Sequence, residues 1–95
     1  MKYANVLPPS LWVCILHLKD GNYRIRMTAD LRKTVERLQE DEELVYLRMF
    51  TNMQEAVGHR LFLESLPAES LRMNIRSLNP CGKDIGKLII QYYSY

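Results

Sequence analysis

From Leu11 to Leu18 the chain is apolar on both alternating sets of positions: Leu11, Val13, Ile15 and His17 on one, Trp12, Cys14, Leu16 and Leu18 on the other. A period of two with both faces largely apolar predicts a central strand covered on both sides. Lys19-Asp20-Gly21-Asn22 predicts a turn in which Gly21 or Asn22 takes a positive φ. From Tyr23 to Thr28 the alternation is clean, with Tyr23, Ile25 and Met27 on one face and Arg24, Arg26 and Thr28 on the other. Two such runs about a short turn predict a β-hairpin. Upstream, Pro8-Pro9 stiffens the chain, so residues 1–10 read as an N-terminal arm.

The period then changes. Over Asp30 to Gln39, Leu31, Val35 and Leu38 fall at helical spacing, with Thr28 or Asp30 placed to cap. Glu40-Asp41-Glu42-Glu43 predicts a solvated connection, and Leu44 to Phe50 a strand. Asn52 with Glu55 three residues later marks the start of a second helix that runs to about Ser65. Pro67 suits the first turn of a third helix with Leu71, Ile75 and Leu78 as its stripe, stopped by Asn79-Pro80 and Gly82. The segment from Lys83 fits a helix with Ile85, Leu88, Ile89 and Tyr92 on one side, and Leu88 to Tyr95 fits a strand equally well. The order predicts an α+β fold: a small three-stranded antiparallel sheet, first strand central, flanked by helices. The domain spans 11–80, with 81–95 a tail that packs on the domain or on a partner.

Composition narrows the class without naming an activity. The 95 residues suit one domain, and 47% hydrophobic with 25% charged residues is ordinary for a folded chain. No run approaches the ~20 apolar residues of a membrane span, so no membrane partner is expected. The first residues lack a secretory pattern, and two cysteines, Cys14 and Cys81, are too few for a disulfide framework. A reducing cytoplasm is the expected compartment. A net charge of +2 does not by itself argue for nucleic acid.

Cys14 and His17 lie three apart on a strand, hence on opposite faces, and cannot share one metal ion. His59 and Cys81 are isolated, so no metal site is expected; His17 reads as a core-edge histidine and His59 as a helix-surface one. Cys14 in an apolar strand reads as inert packing. There is no G-x-S-x-G and no glycine loop to hold phosphate. The basic residues carry more information. Arg24 and Arg26 share a strand face, Lys33 stands one turn into the next helix, and Arg60 sits at the edge of an apolar stripe. The guanidinium fork grips phosphate through two oxygens. The plainer reading is the wet side of an antiparallel sheet.

The run Trp12 to Leu31, with Asp20-Gly21-Asn22-Tyr23 at its turn and Thr28, Asp30 and Leu31 leading into a helix, resembles the start of the GIY-YIG nuclease domain. The strand Leu44-Val45-Tyr46 and the helix with Glu55-Ala56 extend the likeness over roughly residues 11 to 66. The family's catalytic positions are not retained. Its first tyrosine falls on Cys14, its second on Arg24, the glycine of that motif on Arg26, the helical arginine on Thr34 beside Lys33, and the metal-binding glutamate on Arg60. A hard divalent cation needs carboxylate oxygen, which a guanidinium cannot supply.

The resemblance therefore implies a catalytically inactive pseudoenzyme. Arg24, Arg26, Lys33 and Arg60 would line an emptied cleft that holds DNA, another nucleic acid or a different polyanion without cutting it, and no cofactor is expected. The alternative is a protein-interaction or oligomerisation module that uses the sheet face and the tail, where Ile85, Leu88, Ile89, Tyr92, Tyr93 and Tyr95 would make a homodimer. A third reading is a Mg- or Mn-dependent endonuclease with shifted residues: Tyr23, Lys33, and Glu64 one turn beyond Arg60.

Overall fold

The computed structural model describes residues 10–92; the N-terminal arm over 1–9 and the tail residues 93–95 lie outside the described residues. β1 (Leu11–Leu18) is the middle strand of a three-stranded sheet ordered β2-β1-β3, antiparallel on both sides. Its two apolar faces explain that place, since only a central strand has both faces covered. β2 (Tyr23–Thr28) returns beside it through a turn closed by Leu18 N–H donating to Asn22 O at 2.8 Å. Gly21 takes φ +91°, a conformation that costs glycine little. Asp20 Oδ1 accepts from Asn22 N–H at 2.9 Å and fixes the turn.

α1 (Leu31–Glu36) starts where Asp30 Oδ1 accepts from Lys33 N–H at 3.0 Å, and Thr28 Oγ1 accepts from Asp30 N–H at 3.0 Å. Both residues proposed as the cap thus take part. The helix is shorter than the pattern predicts. Beyond Glu36 the chain tightens, and Gln39 N–H donates to Glu42 Oε1 at 2.9 Å while Glu42 N–H donates to Gln39 O at 3.0 Å. This turn corrects the reading of 40–43 as a purely solvated connection. Glu42 is half-buried and opens β3 (Glu42–Phe50), opposite Leu18.

α2 (Met53–Glu64) begins at Asn52, whose side chain accepts from Glu55 N–H at 3.1 Å. α3 (Ala68–Leu78) follows Pro67, and α4 (Gly86–Tyr92) resolves the helix-or-strand alternative in favour of helix over those residues. Two corrections concern the stripes. Leu78 is 57% and Leu88 63% exposed, so neither joins the core; Leu71 and Ile75 of α3 do, and Ile85, just before α4, and Ile89 within it pack against it partly buried.

The sheet carries one core on each face. Leu11, Val13, Ile15, Val45 and Tyr46 meet Ala56 and Leu63 of α2 and Leu71 and Ile75 of α3. On the opposite face, Cys14, Leu16 and Leu44 meet Leu31 and Val35 of α1, with Ile85 and Ile89 packed against them. The register of β1 with β3 steps from Ile15↔Tyr46 to Leu16↔Leu44, so Val45 is an extra residue in a bulge. Its carbonyl accepts from Asn79 Nδ2 at 3.0 Å. The outer edge of β3 is further closed at Leu44, whose N–H donates to Asp84 Oδ1 at 3.1 Å and whose carbonyl accepts from Ile85 N–H at 2.8 Å. No described helix is long and apolar enough to cross a membrane.

Candidate functional site

β2 is an edge strand, and its alternation places Tyr23, Ile25 and Met27 toward the α2/α3 core and Arg24 and Arg26 on the other face. Arg24 stands opposite Leu16 and Arg26 opposite Cys14. α4 packs on α1 and β3, and the six residues of α1 make a short helix, so the β2 strip of this face stays open and both arginines are exposed.

Cys14, where the resemblance would put the first tyrosine, lies in the middle of β1. It is completely buried. Burial pushes its thiol up to about 11, opposed by the Arg26 charge and by a hydrogen bond from the Arg26 backbone. At neutral pH it is a protonated packing group, not a nucleophile. Thr34, where the resemblance would put the helical arginine, donates from Oγ1 toward Asp30 O at 3.0 Å and lies 2.9 Å from Thr28 Oγ1. That ties α1 to the end of β2 and adds no charge.

The four basic residues are not equivalent. Arg24 Nη1 lies 3.5 Å from Glu42 Oε2, a contact that spans the end of β1 from one neighbouring strand to the other. Arg60 Nε lies 3.9 Å from Glu64 Oε1, one turn away on α2. Arg24 has its carboxylate because Glu42 enters the sheet at the start of β3, and Arg60 has its own because Glu64 lies one turn on along α2. Neither contact is short, and exposed pairs of this kind contribute at most about 1 kcal/mol. Arg26 and Lys33 have no carboxylate within ion-pair distance among the described residues. Arg60 Nε is buried and makes no hydrogen bond.

Arg24, Arg26 and Lys33 belong to the side of the sheet that carries α1. Arg60 comes from α2, in the layer over the opposite face, and α2 packs over β2 at the sheet's free edge. Of the residues of the shifted-nuclease reading, Tyr23 and Glu64 line one hollow together with Arg24, while Lys33 lies on α1 over the other face of the sheet. Tyr23 points to the α2/α3 side and stacks on His17 with ring centres 5.0 Å apart, while Glu64 is engaged by Arg60. Among the described residues no three His, Cys, Asp or Glu side chains gather as a metal-ligand set.

Sequence reasoning missed His59. It is half-buried, not a surface residue: Tyr46 Oη and His59 Nε2 share a hydrogen bond of 2.8 Å, and the Phe50 and Phe62 rings lie 5.3 and 6.1 Å away. Burial first, and the Arg48 charge second, hold its pKa below the ordinary 6.5. No local pattern signals this, because Tyr46 and His59 meet only once α2 packs on β3. Arg72 and Arg76, four apart on α3, were also passed over. No protein-family model matches this sequence, and neither a curated protein nor a solved structure matches it.

Proposed function

We propose that this chain is a non-catalytic domain of the GIY-YIG type that binds nucleic acid or a related polyanion through Arg24, Arg26, Lys33 and Arg60. The observation that carries the reading is unused cationic capacity at positions where the family keeps catalytic groups. Arg26 lacks a carboxylate partner among the described residues, and Arg60 Nε makes no hydrogen bond, its ion-pair partner Glu64 Oε1 standing 3.9 Å away. An unsatisfied buried donor in a folded protein calls for a partner, and a phosphate oxygen is one. The element order supports the resemblance. A hairpin leads through Thr28 and Asp30 into a helix, Leu44-Val45-Tyr46 forms a strand, and Glu55-Ala56 opens the next helix. The protonated Cys14 thiol and the cation at Arg60 argue for holding rather than cutting.

The test is fluorescence anisotropy with labelled single-stranded and duplex DNA bearing 5′-hydroxyl ends, at low and near-physiological salt. The wild-type chain binds with a clear salt slope. An Arg24/Arg26/Arg60 triple alanine variant loses about two to three units of that slope, the change set by roughly 0.9 per phosphate contact. Absence of binding at low salt overturns the reading, and Mg- or Mn-dependent cleavage of plasmid DNA replaces it with the nuclease one.

One observation favours a protein partner instead. Both faces of the sheet are occupied by helices, which leaves little sheet surface to share, but Leu61 and Phe62 of α2 are 54% and 50% exposed. A face of that kind fits the core of a protein interface. Concentration-dependent sedimentation that Leu61→Ser abolishes would support self-association through α2.

A further inference from the structure

A second basic site lies on the α2/α3 side of the sheet, away from Arg24 and Arg26. Arg72 and Arg76 are one turn apart on α3 and line a pocket of about 360 Å³ at the end of the sheet. Like charges at this spacing repel on a helix surface. Neither has a carboxylate within ion-pair distance among the described residues. The pocket is within the size range of small-ligand sites.

Its remaining walls are of a different kind. His17 and Tyr23 line it as a ring stack, 5.0 Å between centres and 30° from parallel, and Val45, Ile75 and Pro80 add apolar surface. His17 Nδ1 is 3.6 Å from Glu43 Oε1, which lies outside the pocket. The Asn79–Gly82 turn forms the rim and is built firmly. Gly82 N–H donates to Asn79 O at 2.9 Å, with Gly82 at φ +62°, and Asn79 Nδ2 donates to Val45 O at 3.0 Å and Lys83 O at 2.8 Å. Two free guanidinium forks and a ring pair thus share one preformed hollow.

We propose that this pocket binds a nucleoside 5′-phosphate. The phosphate dianion sits between Arg72 and Arg76, where it satisfies both forks and offsets their repulsion. The base lies against the His17–Tyr23 rings, a contact open to any base because each has a π face. The phosphate monoester is the shared chemistry of a free nucleotide and of the 5′ end of a strand. The site stands whether or not β2 holds a phosphate backbone.

The test titrates the full chain at low ionic strength with AMP, adenosine and inorganic phosphate, followed by amide shifts in two-dimensional NMR. AMP produces saturable shifts at His17, Tyr23 and Gly82. Adenosine and inorganic phosphate each bind about tenfold more weakly or worse, as the loss of a charge-assisted contact or of a stacked base requires. Arg72→Gln/Arg76→Gln weakens AMP at least about tenfold, and Arg76→Gln alone provides a milder variant should the double one lose its fold. Arg24→Ala/Arg26→Ala leaves AMP binding unchanged. A single-stranded tetranucleotide with a 5′ phosphate separates the two sources. Binding that matches AMP assigns a strand end, and failure beside AMP binding assigns the free nucleotide. No saturable AMP shift at millimolar concentration overturns the proposal. So does inorganic phosphate equal to AMP, or a folded Arg76→Gln variant with undiminished affinity.

Discussion

The two faces of the sheet are built from the same strands yet differ in what they leave to water. On the α2/α3 face, Tyr23, Ile25 and Met27 of β2 pack beside Val13 and Ile15, so the layer is apolar out to the edge strand. On the α1/α4 face, apolar packing stops at β1: Cys14 and Leu16 are buried, while their β2 neighbours Arg26 and Arg24 are exposed. A single alternation in one strand produces both outcomes. Where helices are long enough to cover the edge strand, it contributes core. Where they are short, the same strand presents a row of cations at no cost to packing. Arg24 and Arg26 lie on that open strip, whereas Cys14 beside it is buried and Arg60 comes from the layer over the opposite face.

The sharpest way to break this contrast is to empty each core. Leu63 is fully buried on the α2/α3 face, and Leu63→Ala should cost about 2–5 kcal/mol in urea unfolding, with Leu31→Ala on the other face at the lower end of that range. Equal costs would show the two cores to be equally closed. The thiols give a second contrast. Cys81 is exposed, and Cys14 is buried and pushed up to about 11. A thiol reagent at pH 8 should label Cys81 promptly and Cys14 at least about a hundredfold more slowly. Rapid labelling of both would mean that the α1/α4 core opens readily.

Asp84 separates the two sheet edges. Its carboxylate accepts from Leu44 N–H and from Gly86 N–H at 2.9 Å, while β2 has no comparable clasp in the described residues. Asp84→Ala should destabilise by about 1–3 kcal/mol through the donors it strands. His59 gives the smallest effect. Its folded pKa lies below the ordinary 6.5, so the unfolded chain takes up the proton first as pH falls. Stability is therefore full above about 6.5 and declines as pH drops from there through the folded value. Thermal melts from pH 7.5 to 5 should show the decline, and His59→Gln should flatten it.

Much of the fold was legible because it is written locally. The bounds of β1 and β2, the turn glycine, and the caps at Asp30 and Asn52 each follow from residues within a few positions of one another. What escaped depends on distant partners. Glu42 reaches across β1 to Arg24, Tyr46 finds His59 only when α2 docks, and Arg72 and Arg76 acquire an aromatic wall only because β1 and β2 end beside α3. Periodicity assigned Arg24 and Arg26 to one face correctly. It could not tell that Arg60 approaches from the opposite layer, since strand pairing fixes a register but not which helix covers which face.

The most direct test of the open β2 strip is an amide-shift titration of the chain with a short DNA duplex carrying 5′-hydroxyl ends, at low salt and again near physiological salt. The account predicts shifts at Arg24, Arg26, Lys33 and Arg60 that shrink as salt rises, with α3 and the Asn79–Gly82 turn unmoved. Shifts confined to α3, or none at low salt, would contradict it.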